Sequence, residues 1–307
     1  MQAATKLLIG PDVPPVLRSA LLERYDCVSE AGLATQEISV LVTTATLGAD
    51  EARMASLPGL RAICSLGVGV DTLDLVAAER RGIMVSNTPD VLNDCVADLA
   101  VGMVIDVARG ISRSDRHVRR GDWPRQGPGS LGWRVSHGRL GLLGMGRIAR
   151  TIAQRLSGFN MDIRYHARSA KEDVALGYEP SLVALAQWAD FLVVACAGGA
   201  STRHLVNSQV LDALGPQGFL INVARGSVVD ESALLQALSN KTIAGAALDV
   251  FENEPHVPEA FFALDNVVLL PHIGSATAQA RRAMGELLLG NIERFLSSGE
   301  LLTPCSR

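Results

Sequence analysis

The sequence predicts an α/β fold in which parallel sheets are covered by helices on both faces and arranged in two domains. Short apolar runs alternate with longer helix-period segments along nearly the whole chain, as is typical of doubly wound sheets. The chain has 307 residues, more than the size at which one hydrophobic core usually stops growing. It is 48% hydrophobic and 20% charged, with a mean hydropathy of +0.22, so most of it should fold.

The first third of the chain contains four predicted strands with helices between them. The strands are KLLIG, SVLVTT, RAICSLG and GIMVSN, and the helices are LRSALLERY, ADEARMASL and LDLVAAERR. A helical pattern of about 25 residues then begins at Asn93 and ends at Gly121. Residues 122–138 are rich in glycine and proline and show neither period, so we expect a loop or an extended arm there.

A second series of six strands follows the arm and predicts a nucleotide-binding sheet. Its strands are RLGLLG, DIRYHA, FLVVACA, GFLINVA, IAGAALDV and NVVLLP. The closing stretch ATAQARRAMGELLLGNIERFLSSGE is predicted to be one helix that returns to the first series. We therefore predict a discontinuous substrate-binding domain of residues 1–97 plus 283–307, and a dinucleotide-binding domain of residues 98–282.

Charge and cysteine content exclude several classes of partner. Lys and Arg number 28 and Asp and Glu number 32, which leaves no basic surface for nucleic acid. The five cysteines are odd in number and contain no CxxC pair, so we expect reduced thiols rather than disulfides or a zinc site. No basic leader opens the sequence, and no run approaches the roughly 18 apolar residues of a membrane span. We expect a cytoplasmic protein without a membrane partner.

The strongest motif is GMGRIA, set between the strand RLGLLG and the helix RIARTIAQRL. The first glycine allows a tight turn, the second lets the backbone approach a pyrophosphate, and the alanine permits close packing of helix on strand. A diphosphate would lie at the helix N-terminus, so the motif predicts dinucleotide binding. Its residues are Gly144, Met145, Gly146, Arg147, Ile148 and Ala149.

The residues after the second strand of this sheet indicate which dinucleotide binds. An NAD site would place a carboxylate there, about 20 residues beyond the glycine motif, to hold the ribose 2′-hydroxyl. The sequence instead offers His166, Arg168 and Ser169, with Lys171 nearby. A 2′-phosphate would gain charge-assisted hydrogen bonds from such groups, so we predict a preference for NADP(H), with NAD(H) possible.

Three further strands are each followed by a residue that can do chemistry. Arg225 lies in NVARG, Glu254 in DVFENEP and His272 in PHIGS. Each residue type taken alone is more often structural. Because the carboxyl ends of strands line the ligand crevice of an open α/β sheet, the three side chains could converge on one substrate.

The chain closely resembles the D-isomer-specific 2-hydroxyacid dehydrogenase family, through LLGMGRIA, NVARGSVVDE, ALDVFENEP and PHIGSAT in that order. The resemblance implies two Rossmann-like domains with the active site in the interdomain cleft, and a homodimer. It implies that Arg225, Glu254 and His272 are catalytic, and that the backbone amides of Val68 and Gly69 bind the substrate carboxylate.

The resemblance also suggests further cofactor contacts. Asp249 would meet the nicotinamide amide. The other positions at which the family's cofactor contacts fall are Thr202, Val223, Ala224, Arg225 and Gly274. The sequence departs from the commoner family pattern at residues 197–200, where a turn containing proline is more typical.

Physical roles for the three catalytic candidates follow from their chemistry. In the reduction of a 2-oxo acid, the guanidinium of Arg225 can stabilise the carbonyl oxygen as it gains charge, and can grip the neighbouring carboxylate. An imidazolium such as that of His272 can supply the proton, since imidazole titrates near neutral pH. The carboxylate of Glu254 would orient the ring and favour its charged form, and no metal is required.

We expect NADPH-dependent reduction of glyoxylate or hydroxypyruvate to the D-2-hydroxy acid. Chain length leaves no room for the regulatory domain of many phosphoglycerate dehydrogenases, and formate dehydrogenases of this fold pair their histidine with glutamine rather than with a residue such as Glu254. Hydroxyphenylpyruvate and 2-ketogluconate remain alternative substrates. A non-catalytic nucleotide-sensing protein remains an alternative of another class, although the short termini leave no tail for recruiting partners.

Overall fold

The computed structural model describes residues 6–28 and 37–305, and the chain forms two units. One unit is drawn from residues 1–92 and 277–307, and the other is Asn93–Ala276. The predicted boundaries, at 97/98 and 282/283, fall a few residues inside two helices, Asn93–Arg109 and Ala278–Ser298. The first of these helices lies wholly in the second unit, and the last lies wholly in the first. No helix of the described ranges combines the length and apolar character that a membrane crossing needs.

In the described ranges, the first unit contains a parallel sheet of five strands in the order β2-β1-β3-β4-β5. The strands are Lys6–Ile9 (β1), Cys27–Val28 (β2), Ile38–Thr44 (β3), Ala62–Leu66 (β4) and Met84–Ser86 (β5). The helices of this unit are Pro15–Arg24 (α1), Glu51–Ala55 (α2), Leu75–Arg80 (α3) and, from the end of the chain, Ala278–Ser298. All four predicted strands are present, and the two-residue strand β2 adds to them.

The second unit contains a parallel sheet of seven strands in the order β12-β11-β10-β9-β6-β7-β8. Its strands are Arg139–Leu143 (β6), Asp162–His166 (β7), Gly177–Tyr178 (β8), Phe191–Val194 (β9), Phe219–Asn222 (β10), Gly245–Leu248 (β11) and Val267–Leu269 (β12). Its helices are Asn93–Arg109 (α4), Ile111–Arg119 (α5), Trp123–Gln126 (α6), Arg147–Ser157 (α7), Leu182–Trp188 (α8), Ser208–Leu214 (α9) and Glu231–Ser239 (α10); Ala278–Ser298 is α11. The α/β prediction with parallel sheets is confirmed.

Apolar clusters cover both faces of the second sheet, which explains why its strands are continuous apolar runs. Within β9, Leu192 and Val194 face one cluster, whereas Phe191 and Val193 face the other. The strand order reverses between β6 and β9, and such a switch point opens a crevice at the carboxyl ends of the strands. The loops that follow β6 and β9 therefore border a ready-made ligand site.

The prediction of one helix from Asn93 to Gly121 is wrong, because the helix breaks at Gly110. This residue has φ +63° and ψ +41°, in the left-handed region, and it separates α4 from α5. The Asp106 carboxylate then accepts the backbone N–H of Ser112 at 2.8 Å and supports the start of the second helix. The following arm is also not wholly irregular, since it contains the single turn α6.

Candidate active site

The glycine motif forms the turn from β6 into α7 at the switch point. Gly144 has φ +104°, and a Cβ atom there would lie 2.8 Å from the Cα of Cys196, so only glycine fits. Gly146 precedes the first residue of α7, and a Cβ atom added to it would meet nothing within 4 Å. The fully buried Ala149 lets the helix pack closely on the sheet. The exposed backbone at Gly146 leaves room for an anion at the N-terminus of this 11-residue helix.

The other residues of the motif divide between core and surface. Met145 is only 4% exposed and belongs to the apolar cluster on one face of the sheet. Arg147 is exposed and Ile148 is half-buried. The turn is held to the neighbouring strand, because the backbone N–H of Gly144 donates to the carbonyl of His166 at 2.8 Å.

The turn after β7 presents basic and hydroxyl groups. Arg168 and Ser169 are exposed, and no residue from 165 to 171 carries a carboxylate. The ring Nδ1 of His166 donates to the carbonyl of Glu179 at 3.0 Å, since a carbonyl only accepts. The buried Tyr165 hydroxyl accepts the N–H of Lys171 at 2.7 Å and shapes the turn. The positive charge of this turn suits a 2′-phosphate. The turn lacks the carboxylate that would bind the ribose 2′-hydroxyl in an NAD site.

The loops after β9 and β10 contain the other cofactor candidates. Thr202 donates its hydroxyl proton to the carbonyl of Ala197 at 2.9 Å, so the residues that depart from the family pattern form a closed turn. Val223 is half-buried, and its N–H donates a hydrogen bond to the carbonyl of Val194 at 3.2 Å. Ala224 is buried.

Asn222 shapes the loop that carries Arg225, and sequence reasoning missed it. This residue is 1% exposed, and its side chain accepts the N–H of Ala224 at 3.0 Å and donates to the carbonyl of Arg225 at 2.9 Å. The guanidinium of Arg225 itself donates to the Ala224 carbonyl at 2.8 Å. The sequence signal for this role was an asparagine at the end of an apolar strand, as in NVARG, because a buried amide side chain needs hydrogen-bond partners.

Gly226 brings the Arg225 loop into direct backbone contact with the loop after β11. A Cβ atom at Gly226 would lie 1.9 Å from the carbonyl carbon of Phe251 and 2.3 Å from the nitrogen of Glu252. No side chain can be accommodated there, so the glycine permits the close approach. The contact places Arg225 beside the loop that carries Glu254.

Glu254 and His272 form a hydrogen-bonded pair. The ring Nδ1 of His272 lies 2.6 Å from Oε2 of Glu254, and the other carboxylate oxygen accepts the N–H of Phe251 at 3.0 Å. With Nδ1 directed at the carboxylate, the opposite nitrogen, Nε2, is the one available to a ligand. The side chains are 22% exposed for Glu254 and 37% exposed for His272, so the pair is reached by solvent.

The electrostatics of this pair favour an ionised carboxylate. Burial acts to raise the pKa of the Glu254 carboxyl, but the hydrogen bonds from His272 and Phe251 and the positive charges of His272 and Arg225 outweigh it. The pKa of Glu254 is therefore lowered. The backbone contact at Gly226 places Arg225 on the loop next to that of Glu254, so the three predicted residues lie on neighbouring strand-end loops.

His272 has an unusual backbone conformation that Asp249 supports. Its φ of +54° lies in the left-handed region, which costs a non-glycine residue on the order of 1 kcal/mol or more. Asp249, 2% exposed, accepts the next two backbone N–H groups, of Ile273 at 2.7 Å and of Gly274 at 2.8 Å. Burial raises the pKa of the Asp249 carboxyl, and these two hydrogen bonds oppose the rise. Asp249 thus fixes the turn that carries His272.

The predicted substrate loop lies in the first unit, after β4. Gly67 has φ +131° and starts the turn, and the Thr88 hydroxyl accepts its N–H at 2.9 Å. Asn87 donates to the carbonyl of Val68 at 2.8 Å. The N–H groups of Val68 and Gly69 donate to no acceptor in the described part of the chain, so both are available to a ligand.

Metal ligation has no visible basis in the described residues. No group of three or more His, Cys, Asp or Glu side chains in these ranges is arranged to hold an ion. The cysteines of these ranges form no disulfide. The expectation that the chemistry needs no metal stays a prediction.

Comparison with known proteins identifies the family. The model of the D-isomer specific 2-hydroxyacid dehydrogenase NAD-binding domain matches residues 101–274, which is more than half of the chain. The chain belongs to the D-isomer-specific 2-hydroxyacid dehydrogenase family. It is 48% identical over 267 residues to a glyoxylate/hydroxypyruvate reductase A of Arabidopsis thaliana, covering 87% of this dehydrogenase and 85% of that protein.

Two further proteins resemble this dehydrogenase over most of its length. A hydroxyphenylpyruvate reductase of Plectranthus scutellarioides is 46% identical over 272 residues, covering 89% of this chain and 87% of that one. The structure of an NADPH-dependent glyoxylate/hydroxypyruvate reductase from Sinorhizobium meliloti, in complex with NADP and malonate, matches with a TM-score of 0.94. That structure is 40% identical and covers 99% of this chain and 97% of its own. The two-domain Rossmann architecture implied by the sequence is thus confirmed.

Proposed function

We propose that this dehydrogenase reduces a small 2-oxo acid, glyoxylate or hydroxypyruvate, with NADPH to the D-2-hydroxy acid, and that the reaction is reversible. The observation that carries the proposal is the 2.6 Å hydrogen bond between Glu254 and His272, with Arg225 on a loop in backbone contact with the Glu254 loop, at the carboxyl ends of the strands. The relatives named for the same activity in Arabidopsis thaliana and Sinorhizobium meliloti support this choice of substrates and cofactor.

The second unit has the features that fit NADP. Gly144 and Gly146 open the backbone at the N-terminus of α7 for the diphosphate, and Arg168 and Ser169 suit the 2′-phosphate. When bound, the nicotinamide supplies the hydride. The remaining contacts that we propose for the cofactor are Met145, Arg147, Ile148, His166, Thr202, Val223, Ala224, Asp249 and Gly274. NAD(H) would bind more weakly, because Arg168 would have no phosphate to contact.

The three catalytic residues act on the 2-oxo acid in complementary ways. Arg225 stabilises the carbonyl oxygen as charge develops on it and binds the adjacent carboxylate, which fixes the face that is reduced. His272 donates the proton on Nε2 to that oxygen and takes it back in the oxidation direction. Glu254 holds the ring through Nδ1 and, as an ionised carboxylate, favours the imidazolium form.

The loop at Val68 and Gly69 would hold the substrate carboxylate. Its two N–H groups are without acceptors in the described chain, and successive backbone amides form good carboxylate sites. We accordingly propose the first unit as the substrate-binding domain and the second as the dinucleotide-binding domain, with the protein located in the cytoplasm. The cysteines of the described ranges form no disulfide, which supports a reducing compartment.

The proposed activity is tested by measuring NADPH oxidation with a panel of 2-oxo acids. We expect the highest kcat/KM with glyoxylate or hydroxypyruvate, and D-glycerate as the product from hydroxypyruvate. A higher kcat/KM with hydroxyphenylpyruvate would favour the activity named for the Plectranthus scutellarioides relative. The panel also includes 2-ketogluconate. Binding of NADPH without turnover of any member would instead support a nucleotide-sensing protein.

Replacing Glu254 with Gln is expected to move the alkaline limb of reductive kcat/KM to lower pH. Reduction needs the imidazolium, and the carboxylate favours that form, so without the charge the active form is lost at a lower pH. The shift should be about 1 to 2 pH units, since a hydrogen bond to a charged group is worth about 1.5–3 kcal/mol. Oxidation, which needs neutral imidazole, should become active at lower pH.

The Glu254→Gln profile is measured where hydride transfer limits the rate, established with deuterated cofactor. Glu259→Gln is the matched control, because Glu259 is an exposed glutamate of the same unit, and it should leave the profile unchanged. An alkaline limb in Glu254→Gln that coincides with that of the parent would remove Glu254 from its role as the partner of His272.

We propose that the protein is a homodimer whose interface includes the arm. Residues 111–133 expose a group of large apolar side chains, and such groups mark interaction surfaces. The group comprises Ile111, Val118, Trp123, Leu131 and Trp133. Trp133 packs partly on its own unit, edge-on to Phe219, whereas Trp123 is 57% and Leu131 is 96% exposed. A second copy of this surface would cover these side chains.

Sedimentation at micromolar concentration is expected to give twice the 32.5 kDa mass of one chain. Trp123→Asp should shift the protein toward the monomer, since it places a charge in the proposed interface. Phe262→Asp is the control, because Phe262 is 65% exposed but lies outside this surface. A parent protein that sediments as one chain would contradict the proposal.

A further inference from the structure

Glu231 makes a contact that the mechanism above does not use. It is the first residue of α10, the helix that follows the loop after β10, and its Oε1 accepts the backbone N–H of Glu252 at 2.7 Å. Glu252 lies in the loop after the neighbouring strand β11. The carboxylate therefore links the start of α10 to the loop that follows β11.

Capping of α10 does not account for this carboxylate. Asp230 precedes the helix, and its side chain accepts the N–H of Ala233 at 3.0 Å, so the cap is already provided. Glu231 is half-buried and directed at another loop. Burial raises the pKa of the Glu231 carboxyl, the hydrogen bond from Glu252 opposes the rise, and the charges of Glu252 and Glu254 add to it. A partly buried carboxylate near two others is costly, and the hydrogen bond from Glu252 offsets part of that cost.

The N–H group that Glu231 holds belongs to the loop that positions Glu254. Two successive N–H groups of this loop are bound by two different carboxylates: that of Phe251 by Glu254, and that of Glu252 by Glu231. The peptide between Phe251 and Glu252 is also the one in contact with Gly226. The side chain of Glu252 is held separately, by Nε2 of His204. These contacts together hold the loop in place. From this loop, the Glu254 side chain hydrogen-bonds to His272.

We propose that Glu231 is a positioning residue, which holds the Phe251–Glu254 loop so that the Glu254 carboxylate stays in hydrogen-bond reach of His272 Nδ1. This inference rests on the proposed function, because its effect on the reaction passes through Glu254 and His272. Loss of the Glu231 contact would let the loop relax, lengthen the Glu254–His272 hydrogen bond and disfavour the imidazolium. NADPH binding would be unaffected.

Three substitutions separate positioning from a simple effect of charge. Glu231→Gln removes the charge but keeps an oxygen that can accept the Glu252 N–H. Glu231→Asp keeps the charge but is too short to reach it. Glu231→Ala removes both. Positioning predicts that Asp behaves like Ala and that Gln behaves like the parent, whereas a through-space effect of charge predicts the opposite order.

The first readout is the pH profile of reductive kcat/KM with NADPH. For Glu231→Ala and Glu231→Asp we expect the alkaline limb to move about 0.5 to 1 pH unit toward acid, roughly half the effect of Glu254→Gln. We expect kcat to fall about 3- to 10-fold with an unchanged KM for NADPH, since small displacements of catalytic groups lower turnover. In the Glu254→Gln background, Glu231→Ala should cause no further shift of the limb. Glu259→Ala is the matched control.

The second readout does not depend on activity. The sequence contains six histidines, so the His272 ring signal can be assigned by its loss in His272→Ala and titrated by NMR. Its midpoint should fall in Glu231→Ala and Glu231→Asp but not in Glu231→Gln. Thermal unfolding identifies any variant that fails to fold, in which case the other two variants decide.

Several results would overturn the inference. An unchanged midpoint and limb in the folded Asp and Ala variants would do so, as would a full additional shift in the Glu254→Gln background. A Gln variant that matches Ala while Asp matches the parent would replace positioning with a charge effect. If the parent reduces no 2-oxo acid, the proposed function fails, while the NMR titration still tests Glu231.

Discussion

His272→Ala is expected to lower kcat for 2-oxo acid reduction by about 10²- to 10⁴-fold at every pH, because general acid catalysis contributes that much. The residual activity should lack the alkaline limb of the parent, since no ring remains to titrate. NADPH should bind with unchanged affinity, measured by quenching of protein fluorescence, because the glycine turn lies on a different strand end from His272. The experiment thus separates chemistry from cofactor binding.

His256→Ala is the matched control for this variant. His256 is an exposed histidine of the same unit, and its backbone N–H donates to the carbonyl of Asn253, a bond that alanine would keep. It should retain parental turnover. Retention of more than about a tenth of parental kcat in His272→Ala, below the usual range for a general acid, would reassign the proton donor.

Arg168→Asp is expected to raise the KM for NADPH at least tenfold while changing the KM for NADH little. A charge-assisted hydrogen bond is worth about 1.5–3 kcal/mol, which corresponds to about a 10- to 100-fold change in affinity. Repulsion between the new carboxylate and the 2′-phosphate acts in the same direction. Because NADH lacks that phosphate, the ratio of the two kcat/KM values is the decisive measurement.

Lys241→Asp provides the same reversal of charge at a distant place. Lys241 is exposed and lies before β11, at the amino edge of the sheet, away from the turn after β7. It should leave the preference for NADPH intact. Equal increases in both KM values for Arg168→Asp would show that Arg168 does not recognise the 2′-phosphate.

The regular part of the fold was predictable because each buried strand is a local apolar run. The strands from Lys6 to Ile9 and from Phe191 to Val194 are examples, since both are covered on two faces. The two-residue strands Cys27–Val28 and Gly177–Tyr178 are too short to show a period. The break at Gly110 was missed because the apolar pattern continues across it, whereas a glycine can take a positive φ without any change in that pattern.

The site was predictable only where a local motif or the family resemblance pointed to it. Gly144 and Gly146 are recognised from their place between a strand and a helix. The contacts that organise the catalytic loops join residues distant in the sequence, as between Glu231 and Glu252 or between Asp249 and Ile273. No period or spacing reports such pairs, because they depend on which strands are neighbours in the sheet.

The backbone contact at Gly226 also constrains how the site can evolve. The loops that carry Arg225 and Glu254 touch through their main chains, with no side chain between them to absorb a change in length. An insertion or deletion in either loop would displace both residues at once. We therefore expect substrate range to diverge by replacement of side chains around these loops, and changes in length to fall on segments without such packing.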